Sequence, residues 1–307
     1  MTLHSTFPSD RLAIGIDLGG TQVKGALVDR ESGEILRTAL LPTRDGEFEN
    51  ETPVFAMQVA GIIAELETGG ARLPVGLAAP GLAAPHGRCI TWMPGRMHGL
   101  EGFDWPEFLQ RETRVLNDAQ AALLGEAWTG AAKGCRDVFM VTLGTGVGGA
   151  VLTGGRLLTG ASGRGGHLGH MCVDVNAPKD VFNTPGSLEA MIGNATVRER
   201  SGGRFASTLE LVQAAQSGDE AAMRAWHDSV RKLAAALVSL VNVFDPEVII
   251  LGGGIASGAG TALLEPLERW LDEYEWRPGG LKVPLKMASA GEWAGALGVV
   301  RGLRSEE

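Results

Sequence analysis

The chain is short of the features that mark several protein classes. Only three cysteines occur, Cys89, Cys135 and Cys172, and their wide separation excludes both a disulfide framework and a CxxC metal knuckle. Reduced, mostly buried thiols are expected. No basic run is present: 27 lysines and arginines stand against 36 aspartates and glutamates, for a formal charge of -9 and a pI near 5.3. Nucleic acid is bound through cations placed on phosphates, so it is not an expected partner. No apolar run approaches the roughly 20 residues of a membrane span, and the N-terminus lacks a signal peptide's apolar segment, so no membrane association and a cytoplasmic location are expected. Long linkers, low-complexity tracts and charge blocks are missing too. GxxxxGK[ST] is absent, and no strand runs into GxGxxG with an acidic ribose partner downstream, so any nucleotide must be held another way.

What is present is an ordinary globular composition, 44% hydrophobic and 21% charged over 307 residues, enough for two domains at roughly 100 to 200 residues each. After a short polar lead, LAIGIDLGGTQVKGALVD reads as strand Leu12 to Leu18, a turn at Gly19 and Gly20, and a second strand Val23 to Val28. VFMVTLGTGVGGAVLTGG, around Phe139, repeats that pattern, and the two stretches form a weak internal repeat. Helical spacing over Thr52 to Glu67, an apolar strand at Pro74 to Leu77, and Trp226, Val230, Leu233, Leu237, Leu240 and Phe244 on one long helical face give an α/β alternation. A third apolar strand, Glu247 to Leu251, stops at Gly252, Gly253 and Gly254. Glycine lets backbone amides approach an anion, so three strand-to-glycine turns suggest phosphate cradles, although one such turn alone is simply a hairpin.

IGIDLGGTQVKGALVD, GLAAPG, NDAQAALLGEAW, LGTGVGGAVL, the final GH of GGHLGH, GSLEA and DPEVIILGGGIA occur in the order and spacing of the ROK sugar kinases and sugar-responsive repressors, which this chain resembles nearly end to end. The resemblance implies two RNase H-like α/β domains of the actin-like ATPase and hexokinase type flanking a cleft. The expected division is 1–118 plus about 291–307, with the last helix near Glu292 to Arg304, against 119–290. It also implies ATP and Mg²⁺ as cofactors, a small sugar as substrate, and in many relatives a homodimer. Gly19, Gly20 and Thr21 of the first hairpin and Gly144, Thr145 and Gly146 of the second would pinch the triphosphate, while Gly252, Gly253 and Gly254 would lie against the adenosine.

The resemblance assigns Asp118 as the base that takes the proton of the attacking hydroxyl; position alone equally allows a helix N-cap. Asn117 would bond sugar hydroxyls and Gly81 would line the sugar site. Asp17 would orient Mg²⁺ through water, as a hard cation prefers oxygen ligands, or merely stabilise its turn. Lys24 could pair with phosphate or stand as an exposed hairpin lysine. His170 and Glu189 would contact the sugar.

Three departures from the family follow. Its zinc-binding CGCGxxGCLE segment aligns with DVFNTPGSLE, where Asp180, Phe182 and Ser187 fill the cysteine positions, so no structural zinc is expected. His167 replaces the glutamate of GExGH, exchanging an acceptor for a ring that donates or accepts, which would alter sugar specificity. Met93-Pro94-Gly95-Arg96-Met97 replaces a Pro-Asn-Leu loop, and Arg96 could meet an acidic or phosphorylated group or remain a solvated loop residue. The alternative to a kinase is a non-catalytic sugar sensor. Those repressors carry an N-terminal helix-turn-helix, and about ten residues precede the first strand here, so DNA binding is not expected.

Overall fold

The structure, a computed structural model, describes residues 9–67 and 72–303. The polar lead before residue 9 and Arg304 of the expected last helix lie outside the described residues. The chain divides into two compact units, one of residues 1–134, 159–165 and 289–307, the other of 135–158 and 166–288. The division falls after Gly134 rather than at Asp118, and the reason is packing. The helix Asp118–Thr129 lies against the closing helix Ala294–Gly302, both in the first unit. A Cβ on Gly298 would stand 1.7 Å from the Ala121 carbonyl oxygen, and one on Gly125 2.3 Å from that of Ala294. Only glycine permits so close an approach of two helix backbones.

The first unit is built on β1 (Leu12–Leu18), β2 (Gln22–Asp29), β3 (Ile35–Pro42), β4 (Val75–Ala79) and β5 (Thr113–Asn117), in the order β3-β2-β1-β4-β5. β1 and β2 pair antiparallel; β1, β4 and β5 run parallel. Register explains the layers. Gly15 and Ala26 are partners and face the closing helix, whereas Ile16 and Gly25 face the helix Val54–Leu66, whose Ile62 and Leu66 fill the space a Cβ on Gly25 would take. With both faces covered, β1 is almost wholly buried, as its unbroken apolar run requires.

The second unit repeats the plan: β6 (Val138–Leu143), β7 (Val147–Thr153), β8 (Arg156–Leu157), β9 (Val248–Gly252) and β10 (Leu285–Met287) form the order β8-β7-β6-β9-β10. The helix Glu220–Phe244, capped by Asp219, buries Trp226, Val230, Leu233, Leu237 and Leu240 along one face. Each such side chain contributes about 1.5–3 kcal/mol by leaving water. Trp226 also donates its Nε1–H to the Ala262 carbonyl at 2.8 Å, anchoring the helix Thr261–Tyr274. Cys89 and Cys135 are half-buried and Cys172 is exposed, which corrects the expectation of mostly buried thiols; all three stand outside the strands and helices. No described helix is long and apolar enough to cross a membrane.

Candidate active site

The first glycine turn joins β1 to β2. The Gly19 N–H donates to the Gln22 carbonyl at 3.0 Å. Thr43, which carries no sequence signal, clamps the turn from just past β3: its hydroxyl donates to the Gly19 carbonyl at 2.6 Å and its N–H to the Thr21 carbonyl at 2.9 Å. Asp17, near the end of β1, is the register partner of Lys24. Burial, reinforced by the charge of Asp118 and opposed by that of Lys24, pushes its carboxyl up to about 6. Lys24 itself is engaged elsewhere. Its Nζ lies 3.0 Å from Glu292 Oε2 and 5.8 Å from the centre of the Trp293 ring.

Asn117 ends β5 and caps the next helix, its Oδ1 accepting from Ala119 N at 2.9 Å and Gln120 N at 3.3 Å. Its Nδ2 donates to the Gly81 carbonyl at 2.9 Å. Gly81 has φ +100°, and a Cβ there would meet the Trp92 carbonyl oxygen at 2.6 Å, so this acceptor needs glycine to hold its position. Asn117 is thus committed to local structure, and its side chain also hydrogen-bonds the Asp118 carboxyl. The cap being Asn117, Asp118 is released from that alternative. It is the first helical residue, its side chain open to solvent, accepting from Ala119 N at 2.8 Å. Protein packed densely around it disfavours the charged form and raises its carboxyl, against the Ala119 N–H and the Arg96 charge.

In the second unit, Gly144, Thr145 and Gly146 join β6 to β7. Asn194 N and Ala195 N donate to the carbonyls of Gly144 and Thr145, both at 2.9 Å. Glu189, expected at the sugar, supports this turn: its Oε2 accepts from Val147 N at 2.9 Å, where a Cβ on Gly146 would collide with it. Gly252 ends β9, Gly253 takes φ +87°, and Gly254 opens the helix Gly254–Ala259. Between these turns lies a cavity of about 380 Å³, with Gly144, Thr145 and Gly254 at its polar parts and Leu209, Val212 and Ile255 among its apolar walls. Asn194 and Thr208 also line it, and neither was nominated by the sequence. Thr208 N donates to Asn194 Oδ1 at 2.8 Å, while the Thr208 hydroxyl is buried without a partner among the described residues.

His167 and His170 flank a short 3₁₀ turn, their rings parallel within 14° and 6.5 Å apart. Burial, then the neighbouring His170, lowers the His167 pKa, so its ring is neutral near pH 7, and its Nε2 is buried without a partner among the described residues. His170 is exposed, with the Phe182 ring edge-on at 5.2 Å. The three residues at the family's cysteine positions organise the loop by other means: Asp180 accepts from Phe182 N and Thr184 N, both at 2.9 Å, and Ser187 caps the helix Leu188–Ile192. Among the described residues, no three His, Cys, Asp or Glu side chains are gathered to hold a metal ion.

The sequence profile of the ROK family matches residues 13–303. A glucokinase of Thermotoga maritima is 35% identical over 283 residues, covering 85% of this chain and 87% of its own. The N-acetylmannosamine kinase of Escherichia fergusonii is 29% identical, covering 93% and 96%. A solved ROK family glucokinase from Streptomyces griseus, in complex with glucose and AMPPNP, matches at TM-score 0.73 and 27% identity, covering 94% of this chain and 98% of that one. The two mixed five-stranded sheets are those of the actin-like ATPase fold. With the profile spanning nearly every described residue, the chain belongs to the ROK family.

Proposed function

We propose that this protein is an ATP-dependent kinase that phosphorylates a hydroxyl of a hexose or hexose derivative, with Asp118 as its base. The observation that carries this reading is Asp118 itself: an accessible carboxylate at a helix start, freed from capping by Asn117 and held above its ordinary pKa. A hydroxyl is a poor nucleophile, and a carboxylate of raised basicity is the group suited to receive its proton as the bond to phosphorus forms. Gly19, Gly20 and Thr21, with Gly144, Thr145 and Gly146, offer backbone amides to phosphate oxygens. The apolar walls of the 380 Å³ cavity suit a nucleobase, and Gly252, Gly253 and Gly254 its adjoining groups. AMPPNP in the Streptomyces griseus relative supports ATP as donor.

Asp17 fits a role in holding Mg²⁺ through water: it is a hard oxygen ligand beside the first turn, ionised above about pH 6. Bound there, Mg²⁺ supplies positive charge to the phosphates. The sugar would be met by Asn117, His170 and His167, whose Nε2, without a partner among the described residues, a hydroxyl would satisfy. Relatives named for glucose and for N-acetylmannosamine differ in sugar, so family membership leaves the substrate open. His167 in place of glutamate favours a sugar other than plain glucose.

The test is ADP release from Mg-ATP with a panel of hexoses, N-acetylated amino sugars, sugar acids and cyclitols, with Asp118→Ala alongside. Turnover with one compound, lost in the variant, supports the kinase. Silence across the panel, with a sugar-dependent rise in melting temperature, replaces it with the sensor.

A further inference from the structure

Arg96 stands beside the reacting groups of the first unit. It lies between Gly95 at φ +84° and Met97 at φ +56°, so the turn that presents it has both neighbours in the left-handed region. Met97 fixes that turn: its side chain is buried at 1% exposure, its N–H donates to Asp45 Oδ2 at 3.1 Å, and its carbonyl accepts from Leu100 N at 2.9 Å. The Arg96 side chain, in contrast, is exposed, and its guanidinium has no hydrogen-bond or ion-pair partner among the described residues. It reaches the first glycine turn. A Cβ placed on Gly20 would lie 4.0 Å from Arg96 Nη1, and the same positive charge acts on the Asp118 carboxyl.

The charge balance around this point is otherwise unfavourable to a phosphoryl group. Asp17 and Asp118 are both carboxylates, and the nearby ammonium, Lys24, is held by Glu292 at 3.0 Å. A transferring phosphoryl spreads negative charge over its equatorial oxygens, and a planar guanidinium matches two of them at once in a way an ammonium does not.

We propose that Arg96 is a catalytic residue that binds the phosphoryl group as it is transferred, the part the sequence suggested for Lys24. This assignment rests on the kinase reading above. In the step, the sugar oxygen bonds to the γ-phosphorus. The bond from that phosphorus to the β,γ-bridging oxygen breaks, its electron pair leaving with ADP, and the hydroxyl proton passes to Asp118. Arg96 donates hydrogen bonds to the phosphoryl oxygens throughout and itself neither gains nor loses a proton.

The experiment compares wild type, Arg96→Ala and Arg96→Lys in the full chain, with Mg-ATP and a neutral sugar that the wild type turns over. Because the side chain is exposed and unpaired, Arg96→Ala should melt as the wild type does, confirming that it folds. Its kcat should fall about 10²- to 10³-fold with the sugar KM within about threefold, Arg96→Lys should fall between, and added guanidinium ion should restore part of the Arg96→Ala rate. An unchanged kcat in Arg96→Ala overturns the assignment alone, leaving the kinase intact. So does a defect confined to sugar KM, or to carboxylated or phosphorylated sugars, which would make Arg96 a reader of the acceptor. Failure of the wild type to release ADP with any sugar overturns the kinase reading and this assignment with it.

Discussion

Asp118 raises the pKa of Asp17. The two carboxylates lie in one unit, and after burial the charge of Asp118 is the largest cause that brings Asp17 to about 6. A carboxyl whose pKa is higher folded than unfolded adds stability below its unfolded value, near 4, and loses it as the pH rises through about 6. In the absence of nucleotide and Mg²⁺, Asp17→Asn should therefore be more stable than wild type at pH 8, by roughly 1–3 kcal/mol, and indistinguishable from it near pH 4. Thermal melts at pH 4, 6 and 8 read this directly. A variant that is less stable at pH 8 would mean that the charged carboxylate is better compensated than its surroundings indicate.

Asp118→Ala should lower turnover by about 10²- to 10⁴-fold while leaving ATP affinity within about threefold. The helix keeps its cap, since Asn117 holds the Ala119 and Gln120 N–H groups, so the loss belongs to proton transfer and not to unfolding. Near-normal turnover would remove Asp118 as the base.

Thr208→Val exchanges a buried hydroxyl, unpartnered among the described residues, for a methyl of similar shape. Without nucleotide the variant should be as stable as wild type or more so, because an unsatisfied buried polar group costs about 1–3 kcal/mol. ATP affinity should nevertheless fall about threefold to tenfold if the nucleotide supplies the missing partner. Titration calorimetry and a melt without ligand separate the two. Reduced stability without ligand, with unchanged ATP binding, would assign the hydroxyl to structure.

Glu126 is wholly buried, and its carboxylate accepts from Ala131 N at 2.7 Å, from Ser289 N at 2.9 and 3.0 Å, and from Ala290 N at 2.8 Å. It thereby ties down segments beside two of the four places where the chain passes from one unit to the other, those after Gly134 and before Ser289. Glu126→Ala should cost at least about 3 kcal/mol, Glu126→Gln less, since an amide retains one acceptor oxygen. Urea denaturation gives the loss, and amide exchange at residues 131, 289 and 290 should quicken in both variants. Unchanged midpoints would show that other contacts hold these segments.

What could be read from sequence was what is local. Leu12–Leu18 came out with its observed bounds because an apolar run ends at a glycine pair, and the face Trp226 to Phe244 because its spacing repeats within one helix. The weak repeat of the two hairpins is matched in the structure by two sheets of the same strand order. Thr43, Asn194, Thr208 and Glu126 escaped notice because each acts by hydrogen bonds to segments distant in sequence, which no spacing rule reports. The boundary at 118 failed similarly: the contact that keeps Asp118–Thr129 in the first unit is made by Gly298, at the far end of the chain. Glu189 and Lys24 were recognisable as residues but not in their engagements with Val147 and Glu292.

His167 offers the sharpest question about specificity. Its ring is neutral near pH 7, and its Nε2 is buried with no bonding partner among the described residues. A neutral imidazole can donate one hydrogen bond and accept one, whereas a glutamate can only accept, and accepts with full charge. His167→Glu should thus strengthen binding of sugars that present two donating hydroxyls, shifting the ranking of kcat/KM toward glucose by about tenfold, the worth of one charge-assisted hydrogen bond. The same change should weaken any sugar whose acceptor group now meets the imidazole N–H, since a carboxylate would face it with repulsion. Both shifts must appear together for the ring to be the selecting group. An unaltered ranking across the panel would place the choice of sugar elsewhere, with His170 as the next residue to change.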